Sequence, residues 1–226
     1  MKKIFCLFFA LLISLTLSSC KEVLEQNSKK ATKKNINETL VFGTNNEYLK
    51  QTIQKRKEEE EKRKIEMWRA EHLLASSSTI FDQNQIERTN NIKLASTYIN
   101  GLILNPGDVF SFNNIVGKRT TERGFLPAEI YVSSNGVVTS TLAPGGGICQ
   151  VSSTLCMAVM QTQMEIVERN VHSKEVFYAT RENEAMINWG TSDFRFKNNY
   201  EFPVQLEIIF CNVEQGEQII CNIFSM

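Results

Sequence analysis

Pro144-Gly145-Gly146-Gly147-Ile148-Cys149-Gln150-Val151-Ser152-Ser153-Thr154-Leu155 is the stretch on which the reading of this 226-residue chain turns. A proline and three glycines end any strand before them, and Ile148, Val151, Leu155, Ala158 and Val159 then recur at helical spacing. The other face of that helix, residues 148–162, is also mostly small or apolar, which marks a helix enclosed by protein. On both sides the pattern changes to strands. Upstream, Asn105-Pro106-Gly107 turns the chain into Val109-Phe110-Ser111-Phe112, and residues 124–132 and 136–142 read as a hairpin closed by Ser133-Ser134-Asn135-Gly136. Downstream, residues 165–169, 174–178, 185–189, 204–210 and 218–224 read as strands. The expected class is α+β, an antiparallel sheet packed on a central buried helix. Ile92, Leu94, Ala95, Ile99 and Leu102 add an amphipathic helix that stops at Gly101, and the domain is expected to span residues 80–226.

Ahead of it, residues 49–75 read as one charged helical stalk. Glu58 and Lys62, Glu59 and Arg63, and Glu60 and Lys64 are four apart with glutamate first, each pair stabilising a helix by about 0.2–0.5 kcal/mol. Between Ile53 and Ile65 no apolar position recurs, so this is a solvated helix rather than a coiled coil. Only its end, with Ile65, Met67, Trp68, Leu73 and Leu74, is able to dock. Residues 76–89 read as polar and turn-rich. Residues 20–48, rich in Lys, Asn, Glu, Ser and Thr, are expected to form a flexible tether. Residues 1–19 read as a signal peptide: Lys2 and Lys3 precede an apolar run of about 14 residues, shorter than the roughly 20 that span a bilayer, which ends in Leu17-Ser18-Ser19-Cys20. That lipobox predicts lipid on Cys20 and an exported protein held to a membrane of the cell envelope, with cytoplasmic and outer membranes left open.

Composition excludes several classes. With 25 basic and 25 acidic residues there is no electrostatic footprint for nucleic acid. The four cysteines expected to remain unmodified, Cys149, Cys156, Cys211 and Cys221, are too sparse for a disulfide-dependent miniature fold. A phosphate loop would need Lys-Ser or Lys-Thr where Ile148-Cys149-Gln150 stands. Cys149, Cys156 and His172 lack the paired spacing of a zinc site, so neither metal nor cofactor is expected. Cys211 and Cys221 lie symmetrically about Gly216, and a three-residue loop would set them opposite for a cross-strand disulfide.

The glycine run should let backbone approach a ligand closely, and it puts Cys149 in the first turn of a helix. Unpaired amides and the helix dipole favour a thiolate there. A thiol nucleophile needs a base, and the domain offers one histidine, His172. Asp193 is the expected group to orient the imidazole, in the order Cys, His, Asp, with Glu184 and Asn188 as fallbacks. Amides of residues 148–150 would hold an oxyanion. Oxyanion or substrate-binding candidates are Gly146, Gly147, Gln150, Ser152 and Ser153 along the run, with Arg119 and Trp189 from outside it. The plainer alternative makes Cys149 a small core residue and His172 structural.

The stretch is also familiar. Together with Arg88-Thr89-Asn90-Asn91-Ile92, the run 106–113 (Pro-Gly-Asp-Val-Phe-Ser-Phe-Asn), Gly117-Lys118-Arg119-Thr120, Ile166-Val167-Glu168-Arg169, His172-Ser173, Trp189-Gly190, Asp193 and Phe196-Lys197-Asn198, it resembles the VanW family over about residues 81–207. Cys156 stands where the family prefers tyrosine, and Lys174 where a proline commonly follows its His-Ser pair. The resemblance implies an envelope role near peptidoglycan or its peptide precursors, without fixing a reaction. Two functions follow: a thiol amidase, peptidase or transpeptidase acting on stem peptides through Cys149 and His172, or a non-catalytic module binding wall peptide or a protein partner. Cys20→Ala should move the protein from the membrane fraction to the soluble exported fraction, checked by fractionation; unchanged detergent dependence would refute lipidation.

Overall fold

The computed structural model describes residues 46–134 and 137–226, and the chain divides into two compact units, Met1–Glu61 and Lys62–Met226. The segments read as signal peptide and most of the tether, Cys20 included, lie outside the described residues, as do the hairpin-turn residues 135 and 136. Helix α1 (Asn46–His72) carries the alternating charge blocks and is exposed along most of its length. Among the described residues no helix is long and apolar enough to cross a membrane. Within the larger unit the last turns of α1 dock on the domain. Arg69 donates from both terminal nitrogens to the Glu207 carboxylate, at 2.6 and 2.7 Å, and Trp68 stacks on Phe224 with ring centres 5.7 Å apart. Ile65 and Met67 remain exposed.

Helix α1 runs into strand β1 (Leu73–Phe81), so the expected polar linker is a strand and the expected boundary at residue 80 falls inside it. Its serines mask an alternation: Ala75, Thr79 and Phe81 point inward at even spacing. β1 is one edge of a four-stranded antiparallel sheet with β2 (Ile103–Leu104), β8 (Val204–Val213) and β9 (Gly216–Ser225), in the order β1-β9-β8-β2. Val204, Leu206 and Ile208 from β8, with Ile219, Cys221 and Ile223 from β9, supply buried side chains to the core. Helices α2 (Ile86–Ile99) and α4 (Ile148–Val159) pack on this sheet and on each other. Helix α2 starts earlier than the apolar pattern suggests and ends before Gly101, whose φ of 82° no other residue adopts cheaply. This is the α+β architecture expected, with α4 central: ten of its twelve residues are buried, Cys149 and Met157 being the exceptions.

A smaller sheet, order β3-β7-β6, pairs β3 (Val109–Ser111), β7 (Arg195–Lys197) and β6 (Glu165–Glu168). The strand read through Phe112 ends at Ser111, whose hydroxyl accepts from the Asn114 amide at 3.1 Å and starts the short helix α3 (Phe112–Val116). Strands β4 (Pro127–Ser134) and β5 (Val137–Pro144) form the hairpin that leads to the glycine run.

Two expected strands, 174–178 and 185–189, are not formed. Their chain is turns with isolated bridges at Asn170–Met186 and Asn188–Ser192. Around residue 185 side chains, not a neighbouring strand, satisfy the backbone: Ser152 and Ser153 bind Ala185, and Arg169 donates to the Glu184 carbonyl at 2.9 Å. The disulfide is also corrected. The β8–β9 hairpin closes with Val213 opposite Gly216, which sets Cys211 against Gln218 and Cys221 against Ile208. The sulfurs thus lie on opposite faces, Cys211 exposed and Cys221 buried.

One buried side chain fastens the glycine run to the frame. Asn91 on α2 donates to the Leu126 carbonyl at 2.8 Å and the Gly146 carbonyl at 3.0 Å, and accepts from the Leu126 amide at 2.7 Å. Asn91→Ala should therefore lower unfolding free energy by about 2–4 kcal/mol, since it removes three bonds and leaves the Gly146 carbonyl and the Leu126 amide without this partner, whereas Cys211→Ala at an exposed position should change it by less than about 0.5 kcal/mol; urea unfolding measures both.

Candidate active site

Cys149 occupies the first turn of α4, and it is half-exposed where its neighbours are sealed. The helix begins at Gly147, in left-handed backbone with φ 102° and no side-chain cap, so its amino end is left to backbone donors. The Ile148 amide donates back to Gly145 at 3.2 Å and the Gln150 amide to Gly147 at 3.0 Å. Of the three amides expected to hold an oxyanion, that leaves the one of Cys149 without such a turn bond.

The glycines serve packing rather than ligand approach. A Cβ at Gly146 would fall 2.6 Å from the Ala128 carbonyl oxygen, in the backbone of β4. At Gly145 it would meet the stem of Arg119 at 2.7 Å, and at Gly147 the stem of Arg88 at 2.6 Å. The run thus lets a strand and two arginine side chains close on the start of α4. Helix α2 supplies Arg88 and the loop after α3 supplies Arg119.

His172 stands beside the thiol. Its Nδ1 bonds to Glu184 Oε2, and its backbone amide donates to the same carboxylate at 3.2 Å. A carboxylate can only accept, so Nδ1 carries the proton and Nε2 is free to take one. Burial disfavours the imidazolium, but hydrogen bonding and charge from Cys149, followed by those from Glu184, outweigh it and raise the His172 pKa. The thiol also donates to the Ile187 carbonyl, at 3.5 Å.

The orienting carboxylate is thus Glu184, the fallback, and not Asp193. Asp193 accepts from the Ser111 hydroxyl at 2.5 Å and from the amides of Asn113 and Phe194, each at 2.9 Å. It holds the start of α3 to β7. Asn188 likewise serves as backbone, its carbonyl accepting from Asn113 Nδ2 at 3.3 Å.

Gln150, Ser152 and Ser153 point away from the thiol. Gln150 donates to Thr79 Oγ1 at 2.9 Å and the Ile80 carbonyl at 3.0 Å, and accepts from Arg88 at 2.7 Å. Ser152 donates to the Ala185 carbonyl at 2.6 Å, and Ser153 accepts from the Ala185 amide at 2.9 Å. These serines fix the segment carrying Glu184; they are positioning residues. Arg119 does reach the site. One terminal nitrogen donates to Asn113 Oδ1 at 2.7 Å and the Gly117 carbonyl at 3.0 Å, and its guanidinium carbon lies 6.0 Å from the ring centre of Trp189. Burial lowers its pKa to about 10, against the opposing charges of Cys149 and Asp193, so it stays cationic at neutral pH.

Two residues join the site that sequence reasoning did not assign to it. Arg88 has its pKa lowered by burial, with Tyr178 and Cys149 acting the other way. Tyr178 has its pKa pushed well up by burial and by the charge of Cys149, and remains a neutral proton donor. Arg88 was visible only within a motif, and Tyr178 only as the end of the stretch 174–178 read as a strand. Cys156, further along α4, is sealed, and burial pushes its thiol up to about 12. Among the described residues no group of three or more His, Cys, Asp or Glu is arranged to hold a metal ion.

A buried helix presenting a thiol, with imidazole and carboxylate from the following segment, defines an α+β domain with a cysteine-centred polar site. The model for VanW-like proteins matches residues 87–224, and the chain belongs to that family. It is 40% identical over 129 residues to the uncharacterized protein YoaR of Bacillus subtilis, covering 56% of this chain and 40% of that one. It is 28% identical over 158 residues to the vancomycin B-type resistance protein VanW of Enterococcus faecalis, covering 67% of this chain and 54% of the relative. No solved structure matches.

Because the pKa of His172 is raised in the folded state, its stabilising contribution is complete below about pH 6.5, the unfolded value, and is lost as pH rises through the folded value. The urea midpoint of the protein should therefore exceed that of His172→Asn by more at pH 5.5 than at pH 9. An equal difference at both would refute the coupling.

Proposed function

We propose that this protein is a cell-envelope thiol acyltransferase of the VanW family, acting on an amide of the peptidoglycan stem peptide as an amidase, peptidase or transpeptidase. One observation carries the reading: His172 is oriented through Nδ1 by Glu184 beside the thiol of Cys149. Kinship with a vancomycin resistance protein supports a role at the cell wall. Export and lipid attachment at Cys20, which would hold the enzyme at a membrane surface, rest on the amino-terminal sequence.

The chemistry divides among the chain's own groups. His172 Nε2 takes the Cys149 proton, and the thiolate attacks the amide carbonyl carbon, forming a C–S bond. The Cys149 amide stabilises the oxygen as it gains charge. When the C–N bond breaks, His172 returns the proton to the leaving amine. Water or an acceptor amine, deprotonated by the same imidazole, then attacks the thioester and releases Cys149 as thiol. Glu184 stabilises the imidazolium that forms in each half-reaction. The contrasting reading is a non-catalytic module that binds wall peptide or a protein, favoured by the resting bond from the thiol to Ile187.

Mass analysis of stem-peptide fragments incubated with the protein separates the two. Cleavage or exchange should occur with the unaltered chain, vanish in Cys149→Ala, and fall by a factor on the order of 10²–10⁴ in His172→Ala. Unchanged fragments, together with a Cys149 inert to iodoacetamide in the folded protein, would leave the binding module.

A further inference from the structure

Among the described residues, Arg119 is the cation near Cys149 that has buried nitrogens without a partner. Its Nη1 is spent on Asn113 and Gly117, whereas Nε and Nη2 are shut from solvent and have no protein partner. Those two nitrogens form one edge of the guanidinium plane, with parallel N–H bonds spaced to meet the two oxygens of a carboxylate. A buried donor without a partner is costly, so such an edge is poorly explained by packing alone. Arg88, by contrast, has its Nη2 engaged by Gln150.

The surroundings say where a ligand would come from. The Arg119 guanidinium carbon lies 5.7 Å from the ring centre of Phe112, which is fully buried, and 6.0 Å from that of Trp189, which is 46% exposed. The Trp189 side is the one that opens to solvent. Trp189 stands in the 188–192 turn, outside any sheet, between the bridged residues Asn188 and Ser192 whose carbonyls Asn113 holds. The stem of Arg119 rests on Gly145, two residues before α4 begins, and its charge and that of Cys149 act on each other.

We propose that the Nε–Nη2 edge of Arg119 binds a free carboxylate on the substrate next to the bond that Cys149 attacks, so that the site takes the carboxyl-terminal residue of a peptide rather than an interior amide. In a terminal residue the carboxylate sits two bonds beyond the amide nitrogen, close enough for one side chain beside the nucleophile to hold it. Binding leaves Arg119 coordinated on both edges, Asn113 and Gly117 on one and the carboxylate on the other. Its retained positive charge, with a pKa of about 10, matches the anion. The inference rests on the thiol reading above and narrows its substrate to peptides with a free terminal carboxylate.

The test uses two alkylating reagents that differ in charge. Iodoacetate carries the carboxylate one carbon from the reacting centre, and iodoacetamide replaces it with a neutral amide. Rates at Cys149 are read by mass spectrometry in the folded full chain and in the same chain unfolded in urea. The iodoacetate-to-iodoacetamide ratio should be at least about tenfold higher in the folded protein, and the iodoacetate rate should saturate. Arg119→Gln should return the ratio to its unfolded value, and Arg119→Lys, which keeps the charge but loses the paired edge, should lose most of the preference. In the unaltered protein, N-acetylalanine of one or the other hand should protect Cys149 from iodoacetamide where the matching N-acetylalaninamide does not. A preference retained by Arg119→Lys, or equal protection by acid and amide, overturns carboxylate docking. Labelling by iodoacetamide with no preference for iodoacetate overturns the inference and leaves the thiol reading standing; a Cys149 inert to both overturns the two together.

Discussion

Two hydroxyls on a buried helix take both backbone groups of Ala185, and the geometry of the site depends on that clasp. Ser152 donates to the carbonyl and Ser153 accepts from the amide, so a segment with no sheet partner is fixed at this one residue. The residue before Ala185 is Glu184, which grips the ring and amide of His172. Two residues after it, the Ile187 carbonyl receives the thiol of Cys149. The helix that carries Cys149 therefore also carries the anchors of His172 and of the carboxylate that orients it. The distance between them is set by one turn of α4 rather than by the wider sheet.

The glycine run solves a different problem. A strand backbone and the stems of Arg88 and Arg119 must all approach the amino end of α4, and only residues without Cβ leave them room. The result is a half-buried thiol beside two cationic side chains, with an imidazole whose protonation the thiol itself favours. Asn91 and Asn113 complete the scaffold. The first ties the glycine run to α2, and the second aims Arg119 while holding the 188–192 turn through its amide.

Much of this was legible in the chain order. The periodicity of Ile148, Val151 and Leu155 marks α4, and the α+β class follows from the strands around it. Strand β1 was hidden because Ser76, Ser77 and Ser78 look like a turn, although Ala75, Thr79 and Phe81 alternate beneath them. At 174–178 and 185–189 apolar residues suggested strands; around 185 the side chains of Arg169, Ser152 and Ser153 satisfy backbone that a ladder would otherwise pair. Cys149 and His172 were nameable because candidate nucleophiles and bases are few in this sequence. Their carboxylate was harder to choose: Asp193 and Glu184 both follow His172, and nothing local says that Asp193 is consumed by Ser111, Asn113 and Phe194. The register of the last hairpin was misplaced for a related reason, since Gly216 closes a turn rather than standing at its centre.

The irregular chain from Asn170 to Ser192 has a consequence for how the molecule fails. It is bridged at two points and pinned by a handful of side-chain bonds, whereas β1, β9 and β8 pair along their length. Regions of this kind open in separate cooperative units at lower free energy than the core. Such an opening would carry off His172, Glu184 and Trp189 together and leave Cys149 on an intact helix. The site would be dismantled by mild heat or denaturant while the domain still scattered light and absorbed as a folded protein, and its amides would exchange with solvent long before those of the sheet. Loss of the site's geometry and loss of the fold are then separate events, set by different bonds.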